Sequence, residues 1–231
     1  MMKRIVSLLL VLVLCVSVGT VFAAAEETPQ LISASENRRF TDVAADDWYC
    51  AAIEEQVMKY NFIRGVSDTE FDPEGSLTRG MLVTALWRMA GEPILTPDPT
   101  FPSFFFPNLA TDPIPDWAMN AAVWAGFNKI VQGYPDGTFR ANEPVTREQM
   151  LTILYRYAIH QGLAAVTLEE NLTGFADAES ISPYALSAVN WAVGVGVANG
   201  HASRLEPQRI ATRADAATLL LRLQAVLDAQ N

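Results

Sequence analysis

Three arginines occupy the same unusual place in three separate segments of this sequence. Arg79, Arg147 and Arg213 each follow a threonine directly, and apolar residues at helical spacing follow each pair. A threonine there is typical of a helix N-cap, so each arginine is expected in a first helical turn. A cation opposes the helix dipole in that turn, whereas free backbone N–H groups and a guanidinium together suit an anion. The pattern therefore indicates a site for a carboxylate or a phosphate.

An internal counter-ion is the alternative explanation for the arginines. Asp42 and Asp177 each stand third in a short segment that begins with phenylalanine, and either could pair with an arginine of another segment. Both explanations are compatible, with the aspartate orienting the guanidinium and a ligand contacting its free side. Nine positions after each first arginine comes a second, on the opposite helix face, where a solvated or salt-bridged side chain is expected: Arg88, Arg156 and Arg222.

The elements that must position these arginines recur three times along the chain. Each repeat begins with a phenylalanine-led tetrad, continues to an aromatic residue that opens a small-residue helix, and closes with the helix after the threonine. The tetrads are FTDV from Phe40, FPNL from Phe106 and FADA from Phe175. A two-helix unit cannot bury its apolar stripe alone, so the three units are expected to share one core.

Short-range signals predict where the helices begin and end. The second helices should start at Thr78, Thr146 and Thr212, with a capping box at Thr146 and Gln149, an approximate one in the third repeat and none in the first. The first helices should run for about twelve residues and leave through left-handed glycines. These glycines are Gly65, Gly133 and Gly200. In the second repeat, Asp136-Gly137 predicts a tight turn between the helices.

The N-terminus is typical of a secretory signal peptide. Lys3 and Arg4 precede an apolar run from Ile5 to Val18, and small residues follow at 23–25. We predict a signal peptide over 1–25; an uncleaved anchor is the alternative. The remaining boundaries are a linker at 26–39, modules at 40–91, 106–160 and 175–231, a Pro-rich linker at 92–105 and a softer linker at 161–174. The mature chain should then be exported and carry no membrane span of its own.

Charge and composition exclude several classes of function. Removing Lys3 and Arg4 takes the formal net charge from −10 to −12, which argues against nucleic acid as a partner. Only Cys50 survives cleavage, so no intramolecular disulfide is expected. His160 and His201 have no metal-ligand spacing around them, and no local signature of a catalytic nucleophile is present. We expect no cofactor, no metal and no enzymatic activity.

Taken together, the motifs resemble the S-layer homology (SLH) module of bacterial surface proteins. The resemblance rests on FTDV, Trp48, a helix ended by glycine, YPDGTF and VTREQ, and it covers three modules from Phe40 to about Asp228. It implies a mainly α fold in which three tandem helix–turn–helix modules form a pseudo-threefold arrangement around a central three-helix bundle. It also implies a surface-anchoring protein that binds anionic, pyruvate-ketal-bearing cell-wall polysaccharide in the grooves between modules.

The resemblance implies particular ligand-binding residues. The arginine of the family's TRAE-like motif falls on Arg79, Arg147 and Arg213, and the acid of its FxDV start falls on Asp42 and Asp177. The second tetrad has Asn108 in place of the acid, Gly80 replaces a usual Ala or Glu, and the third module lacks the Asp-Gly turn. Uneven grooves are therefore expected, with those of Arg147 and Arg213 favoured.

Aromatic residues at the helix starts have two interpretations. Trp48, Trp117 and Tyr184 suit core anchors, and the alternative is stacking on a sugar ring, which would place Trp48 and Trp117 in the ligand site. Trp124 and Trp191, in the middle of the same helices, are expected in the core. For the whole chain, self-assembly or docking of another surface protein is the alternative to glycan binding.

Overall fold

The computed structural model describes residues 39–94, 101–163 and 172–230. The predicted signal peptide and all but the last residue of the N-terminal linker lie outside these ranges. The helices are α1 (Cys50–Glu55), which continues as a π-helix (Gln56–Tyr60), α2 (Arg79–Met89), α3 (Phe101–Phe105), α4 (Asp116–Phe127), α5 (Arg147–His160), α6 (Leu186–Gly194) and α7 (Arg213–Asp228). The described ranges hold isolated β-bridges but no strand. The mainly α fold class is confirmed.

The second helix of every module lies in the shared core. Helices α2, α5 and α7 carry fully buried leucines such as Leu82, Leu154 and Leu220. Each of these helices packs on the first helix of the next module: α2 on α4, α5 on α6, and α7 back on α1. The last contact closes the ring, which gives the arrangement its pseudo-threefold symmetry.

A ring of backbone hydrogen bonds joins the three modules just before α2, α5 and α7, which we call the central helices. The N–H of Leu77 donates to the carbonyl of Ala211 at 2.8 Å, Ala211 donates to Val145 at 2.9 Å, and Val145 donates to Leu77 at 3.0 Å. Each module therefore contacts both of the others through main-chain groups, whose geometry does not depend on side-chain identity.

The predicted starts of the central helices are confirmed. Thr78, Thr146 and Thr212 are N-caps in extended conformation, and each hydroxyl accepts from the N–H three residues on. Capping boxes are complete in α5 and α7, where Gln149 and Asp215 return a side-chain oxygen to the cap N–H. In α2 the corresponding residue is Met81, which has no oxygen to return.

The predicted exits of the first helices are wrong in position. The left-handed residues that follow these helices are Asn61, Lys129 and Gly196. Gly65 and Gly133 have ordinary φ values, whereas Gly200 is left-handed as predicted, with φ 64°, but lies beyond the end of its helix at Gly194. All three glycines pack closely on the phenylalanine of their module's tetrad. A Cβ at Gly65 would stand 2.6 Å from the Phe40 ring, and one at Gly200 would stand 2.6 Å from Phe175.

Part of the Pro-rich linker is helical. Its last residues form α3, in which Pro102 occupies a first-turn position where a missing N–H costs no helical hydrogen bond. The N–H of Phe106 donates to the Pro102 carbonyl at 2.9 Å, which ties this short helix to the start of module 2.

Candidate functional site

The N-termini of the central helices are not open to an anion, contrary to the expectation from sequence. In each helix the first two N–H groups donate to carbonyls of the next module, such as Arg147 to Arg209 at 2.8 Å and Glu148 to Pro207 at 2.9 Å. The third N–H donates to the threonine cap. The backbone amides thus join the modules, and anion binding at these junctions depends on the side chains.

The three predicted arginines lie buried at the three junctions between modules. Arg79, Arg147 and Arg213 are 8%, 8% and 5% exposed, and each guanidinium contacts the module after its own. Arg79 donates to the Gln132 carbonyl at 2.6 Å, while Arg213 donates to the carbonyls of Phe71 at 2.9 Å and Arg64 at 2.6 Å. Burial lowers the pKa of all three guanidinium groups, although arginine stays protonated.

Aromatic rings make cation–π contacts with the guanidinium at two junctions. The guanidinium carbon of Arg79 lies 5.4 Å from the ring centroid of Tyr134 and 5.2 Å from that of Phe139. Arg213 lies 4.8 Å from the centroid of Phe71. Such contacts are weaker than an ion pair. Among the described residues, neither arginine has a carboxylate as a hydrogen-bond partner, and the Nε of Arg79 is buried with no acceptor.

Arg147 differs because it contacts a carboxylate of the protein. Its Nη1 lies 2.9 Å from Oδ1 of Asp215, and Arg209 reaches the same carboxylate at 2.9 Å and 3.0 Å. Burial works against the charged form of Asp215, but the hydrogen bonds from Arg209 and Thr212 and the charge of Arg147 outweigh it and lower the pKa. Internal pairing of the arginines is thus present at one junction, with a partner that differs from the predicted one.

A cavity of about 430 Å³ opens beside Arg147. Its lining includes Arg204, Arg209 and Arg222 of module 3, together with Trp48 of module 1. The four arginines outnumber the two acids of the lining, Asp215 and Glu206, in a chain whose formal net charge is −10. This local excess of positive charge favours an anionic ligand.

The tetrad aspartates hold turns of their own modules and do not pair with the helix-start arginines. Asp42 accepts from the N–H groups of Phe71 and Asp72, and Asp177 accepts from those of Leu205 and Glu206. Burial opposes the charged form of Asp177, but these two backbone donors outweigh it and lower the pKa. A direct pair across modules is therefore absent for both residues within the described ranges, although the charge of Asp42 still acts on Arg213 and partly offsets the lowering of its pKa by burial.

Module 2 does have an acid equivalent to Asp42, although its tetrad has Asn108 at that position. Asp112 accepts from the N–H groups of Phe139 and Arg140 at 2.7 Å and 2.6 Å, as Asp42 does in module 1. Asn108 instead bonds the turn at Gly137 and Asp136. Additional residues between Phe106 and Asp112 hide this equivalence in the sequence. Asn108 therefore gives no reason to expect weaker ligand binding at module 2.

The aromatic residues at the helix starts lie at the surface. Trp48, Trp117 and Tyr184 are 64%, 51% and 57% exposed, so the core-anchor interpretation is wrong for all three. Trp48 lines the cavity beside Arg147, and a Cβ placed on Gly80 would stand 3.0 Å from the Trp117 ring. The mid-helix Trp124 and Trp191 lie in the core, as predicted.

Glu148 was not recognised from the sequence, although its carboxylate accepts three hydrogen bonds at a junction. It is buried in α5 and accepts from the N–H and hydroxyl of Ser182 at 2.9 Å and 2.7 Å, and from the hydroxyl of Tyr184 at 2.9 Å. Burial, then the bond to Glu148, raises the pKa of Tyr184. Glu148 therefore joins modules 2 and 3 through side chains.

Two of the second arginines, Arg88 and Arg222, are neither free in solvent nor salt-bridged within the described ranges. Arg88 and Arg222 are half-buried and donate to the carbonyls of Phe62 and Val197, respectively. Arg222 also lines the cavity beside Arg147. These residues anchor the segment that follows the first helix of their own module.

The described part of the chain offers neither a metal site nor a membrane-spanning helix. Within the described ranges, no cluster of three or more His, Cys, Asp or Glu residues is arranged to hold a metal ion. None of the helices described is long and apolar enough to cross a membrane.

Comparison with known proteins agrees with the threefold repeat. The family model of the S-layer homology domain matches residues 39–80, 112–151 and 174–217, which together make up more than half of the chain. Its second match begins at Asp112, the residue that the structure places as the equivalent of Asp42.

Curated relatives are much longer than this chain. An amylopullulanase of Thermoanaerobacterium thermosulfurigenes is 30% identical over 88% of the chain but 10% of its own length. An endoglucanase of Bacillus sp. (strain KSM-635) is 29% identical over 94% of the chain and 22% of its own length, and the exoglucanase XynX of Acetivibrio thermocellus is 30% identical over 78% and 16%. The chain thus spans less than a quarter of each relative, and the similarity indicates no catalytic domain in it. With three matched repeats arranged in one closed ring, the chain belongs to the S-layer homology domain family, whose modules anchor proteins at the bacterial cell wall.

Proposed function

We propose that this chain holds itself at the cell surface by binding an anionic cell-wall polysaccharide, without catalysis, at the junctions between its modules. The ligand class that best fits is a pyruvate-ketal-bearing glycan, because each ketal presents a carboxylate that a guanidinium binds through two parallel hydrogen bonds. Arg79, Arg147 and Arg213 would receive the carboxylate, and Trp48 and Trp117 would lie against sugar rings. In this proposal Asp42 and Asp177 support the turns beside the site.

The observation that carries the proposal is the burial of two guanidinium groups without a carboxylate partner. Among the described residues, Arg79 donates to a backbone carbonyl, and Arg213 donates to two backbone carbonyls and to the sulfur of Met81, with aromatic rings beside both. The carboxylates of Asp72 and Asp42 act on Arg213 through their charge without a hydrogen bond to it. A buried charge without a counter-ion is costly, by several kcal/mol in general. An anion supplied from outside would remove this cost, so binding energy is available at both junctions.

The exposed tryptophans support a sugar as the body of the ligand. Trp48 and Trp117 keep about half or more of their surface in solvent, although each stands beside a junction. A broad apolar ring beside a cationic group matches a sugar with an acidic substituent, since the ring covers the sugar face while the cation binds the acid.

Cell-wall sacculi provide the test. The exported chain should sediment with intact sacculi, and should stay in solution when the polysaccharide has been removed by acid. The double variant Arg79→Gln, Arg213→Gln should lose most of its sedimentation, with circular dichroism verifying that it folds. Arg140→Gln is the matched control, because Arg140 is partly exposed and pairs with Asp136 at 2.7 Å. Equal retention on stripped sacculi would refute glycan binding.

Docking of another surface protein, or self-assembly, is the second candidate. The observation that favours it is an apolar patch on module 2, where Phe104 is 80% exposed and Phe127 is 53% exposed around Phe105. This function predicts retention on stripped sacculi that still carry their surface proteins, and loss of retention in the variant Phe104→Ser, Phe127→Ser. Glycan binding predicts no effect of that variant.

A further inference from the structure

The third residue of each central helix occupies the position that faces the arginine of the preceding module. Asp215 of α7 lies 2.9 Å from Arg147, and the sulfur of Met81 in α2 lies 4.0 Å from Arg213. By the pseudo-threefold symmetry, Gln149 of α5 holds the same position relative to Arg79. The three junctions therefore differ in chemistry at this position: one has a charged carboxylate, one a neutral amide and one a neutral thioether.

The chemistry of these three side chains decides what the arginine meets. Asp215 uses Oδ2 to accept from the Thr212 N–H at 2.9 Å, and its Oδ1 accepts from Arg147 at 2.9 Å and Arg209 at 3.0 Å. Gln149 uses its oxygen in the same cap, at 2.9 Å from the Thr146 N. The rest of its amide is an N–H₂ donor, which cannot accept from a guanidinium.

We propose that Asp215 is an internal carboxylate that takes the anion position at Arg147, so that the acidic group of the glycan binds at Arg79 and Arg213. This inference rests on the proposed function and concerns which junctions are open. Asp215 is 2% exposed, so an external carboxylate at Arg147 would face a buried like charge or displace it from its partner. At the other two junctions no carboxylate of the described residues is hydrogen-bonded to the guanidinium. The acids that act on Arg213 through their charge, Asp72 and Asp42, are exposed, so no buried anion has to leave.

The arrangement reverses the ranking that the sequence favoured for Arg147. The cavity beside it is the most visible feature of the site, but the carboxylate that binds both Arg147 and Arg209 is already part of its lining. Arg222, in the same lining, is bonded to the Val197 carbonyl. Size and positive lining alone are therefore a poor guide to where the acidic group binds.

Titration calorimetry on the full exported chain tests the inference. The probe is a methyl N-acetylhexosaminide carrying a pyruvate ketal, and the control sugar carries an uncharged ethylidene acetal in its place. Wild type should bind two equivalents of the probe and none of the control. Asp215→Asn should bind a third equivalent, because the asparagine oxygen retains the cap while the charge that excluded the ligand is gone.

The reverse substitution creates the internal carboxylate at an open junction. Gln149→Glu retains a capping box, since glutamate suits this position, and leaves a second oxygen for Arg79. One equivalent of the probe should then bind about tenfold more weakly, as when a like charge is placed beside a charged site. Gln161→Glu, at the far end of α5, is the control with the same change of charge and should bind like wild type.

The outcomes separate this inference from the proposed function. If wild type binds the probe and Asp215→Asn binds no more than wild type, Asp215 does not exclude ligand and the inference is overturned, while glycan binding stands. If Asp215→Asn binds less, Asp215 instead orients Arg147 for the ligand, which also overturns it. If only Asp215→Asn binds, the exclusion is supported and the native function is refuted. Failure of both proteins to bind refutes both proposals.

Discussion

Single residues at the junctions decide how tightly neighbouring modules are joined. Glu148 is the clearest case, because its buried carboxylate accepts three hydrogen bonds from Ser182 and Tyr184 of the next module. The equivalent positions are Gly80 in α2 and Ala214 in α7, which carry no polar side chain. Modules 2 and 3 are therefore joined by a polar contact that the other two junctions do not have at this position.

Replacing Glu148 by alanine tests whether its carboxylate stabilises the contact between modules 2 and 3. Glu148→Ala should lower the free energy of unfolding by about 1–3 kcal/mol, because it leaves the partly buried N–H and hydroxyl of Ser182 without an acceptor. Urea denaturation monitored by circular dichroism measures the change. Glu143→Ala, which removes only an exposed pair with Arg140 at 3.5 Å, should cost less than about 0.5 kcal/mol. Equal costs for the two variants would contradict the role given to Glu148.

The dependence of the unfolding free energy on acidic pH tests whether the pKa of Asp215 is lowered in the folded protein. Its folded-state pKa lies below the ordinary value of about 3.9, so its contribution to stability is present above that pH. The contribution is lost as the pH falls through the folded-state pKa. Wild type should therefore lose more stability than Asp215→Asn as the pH falls from 5 towards 2, in urea unfolding at several pH values. Parallel pH curves for the two proteins would argue against a lowered pKa.

At the scale of elements, close packing and capping fix how each module is folded. Gly65, Gly133 and Gly200 let the chain after the first helix approach the tetrad phenylalanine of the same module. An aspartate of the same module, Asp42, Asp112 or Asp177, then accepts from backbone N–H groups of the following turn. This pairing of glycine and acid recurs in every module, and it brings the end of the first helix to the start of the second.

Substitution of Gly65 tests the close approach. A Cβ there would stand 2.6 Å from the Ser67 carbonyl oxygen and 2.7 Å from that of Glu70, so backbone would have to move. Gly65→Ala should destabilise the protein by about 1–3 kcal/mol. The control is Gly174→Ala, where nothing lies within 4 Å and the change should be neutral or slightly stabilising. Thermal unfolding of the two variants side by side gives the comparison.

At the scale of the whole molecule, the modules form one cooperative unit. Residues 37–231 make up a single compact unit. Each central helix has its N-terminal N–H groups bonded to the next module and its side packed on that module's first helix. Removing one module would therefore leave buried polar groups unpaired and apolar surfaces exposed in both of the others.

Truncation tests this interdependence. A chain that ends at residue 174 lacks α6 and α7, so Leu77 N–H, Arg147 N–H and Glu148 N–H lose their acceptors. We expect the fragment to have no cooperative urea transition and little near-ultraviolet circular dichroism, whereas the full chain should show one transition by both fluorescence and circular dichroism. A fragment with a sharp transition of its own would show that modules fold independently.

The sequence by itself determined the features that depend on short stretches of chain. The three repeats, the N-caps at Thr78, Thr146 and Thr212, and the Asp136-Gly137 turn involve residues a few positions apart, and all are present as predicted. The family and the mainly α class followed from these local signals, because caps, turns and apolar periodicity act within one element.

Only the tertiary structure decided which groups meet at the junctions. Arg147 and Asp215 are 68 residues apart, and Phe139 and Asp112 are 27 apart, so no local pattern joins them. The exposure of Trp48 likewise depends on where module 1 meets module 3. These contacts are set by the closing of the ring, which orients side chains that the spacing along the chain leaves free to face either a partner or solvent.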